Sequence, residues 1–225
     1  MAVGILDNLP QIIAAVGGLG TAAFGLVDAS KAVWGGVNNI GFSGIRERIQ
    51  RLVPPKSPNG LSISDVLATL RENWFTGADL ASQKAVAKSL IKLNFNASSA
   101  AQMGAATGLD PGILTTIAEK ITTGTPLSSA ESDVYARFDA IVTAQLDATY
   151  RGADQKYVNA TRALAMVVAV LLAIAGACAL GGTWPRSDLW QAVLIGLLAT
   201  PLAPIAKDLS TALATAVNTM QLTKK

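Results

Sequence analysis

Four charged side chains stand where charge is otherwise scarce. Asp28 and Lys31 close one uncharged run, and Lys207 and Asp208 close another. Ionisable groups at membrane depth mark ion paths, proton relays or structural pairs. Asp28 and Lys31 lie at i and i+3, close enough to pair on one helix face. A lysine at the end of an apolar run can also stretch its ammonium back to water. The spacing therefore favours charges paired at an interface over chemistry within a bilayer. Conventional catalysis has little to work with. The 225 residues contain no histidine, which removes the commonest general base, the usual nucleophilic triads and most zinc sites. The single cysteine, Cys178, sits inside an apolar run and can form no intrachain disulfide. Neither a nucleophile–base pair, a phosphate-cradling loop nor a metal-ligand spacing is present. No cofactor and no metal are implied, and a non-enzymatic role is expected.

The elements that position these charges follow from composition. Only 15% of the residues are charged and 51% are hydrophobic, whereas soluble domains carry about 25% charge. The deficit is concentrated in three segments. The first is uncharged from Asn8 to Val27, just long enough to span. Gly17, Thr21 and Gly25 recur there every four residues, a small-residue face that lets helices approach closely in lipid. It is expected to serve self-association or packing against the other spans. The second segment is the back of a long helix over Ser128–Thr183. Ser128 and Glu131 form a capping box at its start, and no proline follows until Pro185. At about 1.5 Å per residue it is one rod of roughly 80 Å, charged in front and uncharged from Ala163 onward. The third runs from Leu189 to Ala206, with Pro201 and Pro204 removing amide donors and kinking it.

Between the spans lies a helical insert. Residues 1–53 hold the first span and a basic amphipathic segment, in which Ile45, Ile49, Leu52 and Val53 share a face and Arg46, Arg48 and Arg51 point elsewhere. Such a helix suits an anionic membrane surface, or the solvated face of a domain. Residues 54–60 are a Pro-rich linker, and residues 61–127 are a small bundle of short helices. Ser62, Asp79 and Asp110 stand at helix starts, and Gly108 and Gly124 at helix ends. Leu80, Val86, Leu90 and Leu93 are expected inward on the second helix, and Ile113, Leu114, Ile117 and Ile121 on the fourth. A core that small is marginal alone, so the bundle is expected to lean on the long helix through Tyr135, Phe138, Ile141, Val142, Leu146 and Tyr150. Tyr150 and Tyr157 also precede the second span, where interface aromatics sit. Residues 128–183 are the stalk helix continuing into that span. Residues 184–225 are a hairpin, the third span and a C-terminal amphipathic helix. The fold class is an all-α membrane protein with about three transmembrane helices and a small helical extramembrane bundle.

Within the bundle, Met103, Gly104, Gly108, Leu109, Leu114 and Ile117 resemble a helix-turn-helix. The second helix of that pair carries Glu119 and Lys120 but no arginine. Polyanion binding needs several phosphate-neutralising cations, so nucleic acid is not expected and a structural αα-corner is. The stretches Gln155–Arg162 and Pro201–Leu209 resemble uncharacterised small bacterial inner-membrane proteins with a helical cytoplasmic insert. That resemblance implies a bacterial inner membrane and lends no activity. Basic residues flank the insert and the C-terminus but not the N-terminus. The positive-inside rule then places the N-terminus outside, with the helical domain and the C-terminus cytoplasmic. Two functions fit. One is a self-associating membrane anchor or scaffold that docks a cytoplasmic protein partner through its helical domain. The other is an oligomeric channel.

Overall fold

The computed structural model describes residues 9–55, 61–179 and 190–203. Pro204, Lys207, Asp208, residues 56–60 of the linker, the hairpin and the C-terminal helix lie outside these. Every described element is an α-helix: α1 (Leu9–Trp34), α2 (Asn38–Leu52), α3 (Ile63–Phe75), α4 (Leu80–Leu93), α5 (Ala97–Thr107), α6 (Pro111–Thr123), α7 (Ser129–Ala179) and α8 (Trp190–Ala203). They group into two compact units, residues 37–157 and the remainder.

Local chemistry accounts for the boundaries in the first unit. Ser62, Asp79 and Asp110 each accept a hydrogen bond from a backbone N–H of the first turn, capping α3, α4 and α6. Pro111 follows Asp110 in the first turn, where its missing N–H costs nothing. Gly108 and Gly124 end α5 and α6 in the left-handed conformation. Asn96 closes a reciprocal box with Ser99 at the start of α5. At α7, the Ser128 N–H donates to Glu131 Oε2 at 2.8 Å and the Glu131 N–H donates back to Ser128 Oγ at 3.3 Å.

The core of this unit is one cluster drawn from six helices. Phe42, Ile45, Ile49 and Leu52 of α2 join Val66, Leu70 and Trp74 of α3. Ala87 and Ile91 come from α4, Met103 from α5, Leu114 and Ile117 from α6. Phe138, Val142, Leu146 and Tyr150 line the front of α7. The basic helix packs with the bundle, because its apolar face lies in the core, and this compact unit starts at Val37. Tyr150 and Tyr157 are bundle residues, packed on Trp74 with ring centroids 6.5 and 6.2 Å away. The chain bend sits at Gly35 and Gly36, both with positive φ. Gly41 is helical and marks a close crossing. A Cβ there would lie 2.5 Å from Trp74 Cζ2 and 3.1 Å from the Ala153 carbonyl oxygen.

The second unit packs α1, the back of α7 and α8 through small residues. Ala23, Ala169 and Ala199 form its centre, with Val16, Leu19, Val168 and Leu172 around them. A Cβ on Gly20 would collide with the Ala199 carbonyl, and one on Gly196 would lie 2.5 Å from Val170 Cα. Two helices are long and apolar enough to cross a membrane, α1 and α7. The described part of α8 is apolar but shorter than a span. Three spans were expected; among the described residues two helices are long and apolar enough to be spans.

Candidate functional site

Three features of the surface bear on function. The first is where apolar side chains point. Ile12 and Leu26 of α1, Val167 and Leu171 of α7, and Trp190, Leu194, Ile195 and Leu198 of α8 are exposed. Only 11% of the most apolar window of α7 is buried. In a water-soluble core helix that window would be covered, and large contiguous apolar surface on a monomer marks an interaction site. The seam in this unit is Gly20, Ala23 and Val27, all buried. Of the expected face, Gly17 is buried, whereas Thr21 and Gly25 are exposed. Thr21 Oγ1 donates to the Gly17 carbonyl at 3.0 Å, so the hydroxyl is satisfied within its own helix. Lys31 Nζ lies 2.6 Å from Asp28 Oδ1, the i, i+3 pairing expected. Pro201 falls within the last turn of α8 and is exposed.

The second feature is an ion ladder between α4 and α7. Lys84, Lys88 and Lys92 recur every four residues on α4. Lys84 Nζ donates to Asp147 Oδ1. Lys88 and Lys92 both reach the Asp139 carboxylate, at 2.6 Å. The hydrogen bonds from Lys88 and then Lys92 hold the Asp139 carboxyl below its ordinary range, and Lys84 does the same for Asp147. A third carboxylate, Glu131, is drawn down to about 2, first by Lys120 and then by Ser128. On α4, Gln83, Ala87 and Ile91 are buried and Leu80, Val86 and Leu90 pack against the core as expected, whereas Leu93, also expected inward, is exposed. The lysine spacing was legible in the sequence. Its partners, about fifty to sixty residues away, were not.

The third feature is the outer face of α2. Arg46 lies over the Phe42 ring, 5.7 Å from its centroid. Arg51 pairs with Glu47 four residues back. Arg48 and Arg51 line a cavity of about 180 Å³ with Gly44, Gly152 and Lys156. Gln102 of α5 donates to the Arg51 carbonyl at 3.1 Å, covering the exposed end of α2. The α5–α6 pair closes on Gly104, where a Cβ would lie 2.9 Å from Pro111 Cα. Lys120, the one cation of α6, is taken by Glu131 at 2.7 Å.

No family model matches the chain, and no curated protein or solved structure is significantly similar to it. Fold and surface together define an all-α protein in which two helices are long and apolar enough to cross a membrane.

Proposed function

We propose that the protein is an integral membrane anchor whose helical domain, residues 37–157, is a docking module for a partner on the cytoplasmic side. The observation that carries this reading is the division of apolar surface along one helix. The front of α7 buries Phe138, Val142, Leu146 and Tyr150 in the bundle core, while its back exposes Leu164, Val167 and Leu171. A side chain of that size costs roughly 1.5–3 kcal/mol to leave in water, and hydrocarbon removes that cost. The basic residues flanking the domain support a cytoplasmic placement. Thr21 and Gly25, outward on α1, are available to a second copy, which supports self-association in the bilayer.

The test is native mass spectrometry of the full chain released from membranes in mild detergent, after washing at alkaline pH. The protein is expected in the washed membrane fraction, as a defined homo-oligomer that retains lipid and co-purifies with a soluble protein. Release by the wash would end the anchoring reading. A lipid-bound monomer would remove self-association alone, and a homo-oligomer that conducts ions without a partner would replace docking by a channel.

A further inference from the structure

The cavity between α2 and α7 has a construction the anchoring reading does not use. Gly44, Glu47, Arg48 and Arg51 recur at i, i+3, i+4 and i+7 along α2, and Thr149, Gly152, Ala153 and Lys156 do the same along α7. The two stripes line one concave site of about 180 Å³. Its floor has two glycines. A Cβ on Gly152 would meet nothing within 4 Å, and one on Gly44 would meet only Lys156 Nζ at 3.9 Å. The helices cross closely one turn away, at Gly41 and Ala153, so the opening is a local feature of two tightly packed helices.

Charge in this site is unbalanced. Arg48, Arg51 and Lys156 face a single carboxylate, Glu47, which is engaged by Arg51. Among the described residues neither Arg48 nor Lys156 has an ion-pair partner. The lysines of α4, by contrast, are all matched by Asp139 and Asp147. Cations gathered in a concave site focus a positive field on a small anion. An arginine fork beside a lysine point charge suits tetrahedral phosphate oxygens. The volume is below the roughly 300–1,000 Å³ of drug-sized sites, so the site fits a compact group. Lys156 precedes the uncharged run at Ala163 by about 10 Å along α7. If that run spans the bilayer, the cavity lies near headgroup level.

We propose that Arg48, Arg51 and Lys156 bind a phosphate group, carried by a lipid headgroup or free in solution. The lipid source rests on the anchoring reading; the phosphate chemistry does not.

The experiment uses the full chain in nanodiscs of phosphatidylcholine, with or without phosphatidic acid, and inorganic phosphate as the soluble probe. Retained lipid is counted by native mass spectrometry, and phosphate binding is followed by calorimetry. Arg48→Gln/Lys156→Gln is expected to weaken binding by about tenfold or more, the loss of charge-assisted hydrogen bonds. Arg71→Gln/Arg137→Gln removes equal charge outside the cavity and is expected to change little. Gly152→Leu keeps every charge but fills the floor, and is expected to abolish binding with helicity retained. Phosphatidic acid bound without response to inorganic phosphate identifies the lipid source; competition between the two identifies a soluble one. The proposal is overturned if the wild type binds neither probe, if the two double variants weaken binding equally, or if Gly152→Leu binds normally. A chain that partitions into water without detergent would end the anchoring reading, while the phosphate titration would still decide the site.

Discussion

Asp139 holds two lysines of α4 at once, and its removal tests the ladder. Asp139→Asn is expected to lower the stability of the helical domain by about 1 kcal/mol at neutral pH, the scale of a pair of partly exposed ion pairs. Urea titration followed by circular dichroism checks it. The pH dependence follows from the same contacts. Asp139, Asp147 and Glu131 all have carboxyl groups held below their ordinary range in the fold. Between the folded and unfolded values the unfolded chain binds more protons, so their contribution is complete above the ordinary carboxylate range of about 4. It is lost as pH falls through the depressed values. The thermal midpoint is therefore expected to fall on acidification from about pH 5 to about pH 2, and less steeply in Asp139→Asn. An unchanged slope would remove Asp139 from the acid response. Gly41 tests packing at the same scale. Gly41→Ala would press a methyl onto Trp74 and the Ala153 carbonyl, and overpacking of that kind costs about 1–3 kcal/mol. Gly44→Ala, whose only neighbour is the flexible tip of Lys156, is expected to be tolerated in the same denaturation assay.

Among elements, α1 separates folding from association. Its inward face carries Gly20, Ala23 and Val27, and its outward face carries Thr21 and Gly25. Gly20→Ala is expected to lower the thermal stability of the detergent-solubilised chain, because α1 cannot retreat from the Ala199 carbonyl of α8 without losing the alanine seam. Gly25→Leu has open space around it and is expected to leave that stability unchanged while reducing the oligomer in native mass spectrometry. If Gly25→Leu leaves the oligomer intact, the outward face of α1 is not where copies meet. On α4, hydrophobicity placed Leu80, Val86, Leu90 and Leu93 inward; the first three pack against the core and Leu93 is exposed, on the helix whose Lys84, Lys88 and Lys92 pair with α7.

At the scale of the molecule, the domain boundary is a prediction about folding. Residues 37–157 contain every helix that contributes to the larger core. Expressed alone, that fragment is expected to be water-soluble and helical and to unfold cooperatively. Residues 61–127 alone are expected to be largely unfolded, because they lack α2 and α7, which supply Phe42, Ile45, Ile49, Phe138, Val142 and Leu146. Circular dichroism of both fragments decides it; a cooperative transition in the shorter one would make α2 and α7 dispensable.

Much of the architecture was legible without a structure because its causes are local. Ser62, Asp79, Asp110 and Ser128 cap helices through hydrogen bonds to the turn they begin, and Gly108 and Gly124 end them through backbone conformation. The uncharged stretch of α7 is likewise a property of consecutive residues. The apolar face of α2, Ile45, Ile49, Leu52 and Val53, was visible too, as one side of an amphipathic helix. Its destination was not, since a bilayer and a protein core present the same apolar environment to Ile45, Ile49 and Leu52. Which basic side chains are neutralised and which stay available is also a long-range matter. Lys84, Lys88 and Lys92 look as free in sequence as Arg48 and Lys156; packing of α4 on α7 matches the first three with carboxylates, and packing of α2 on the same helix gathers the other two around bare glycines.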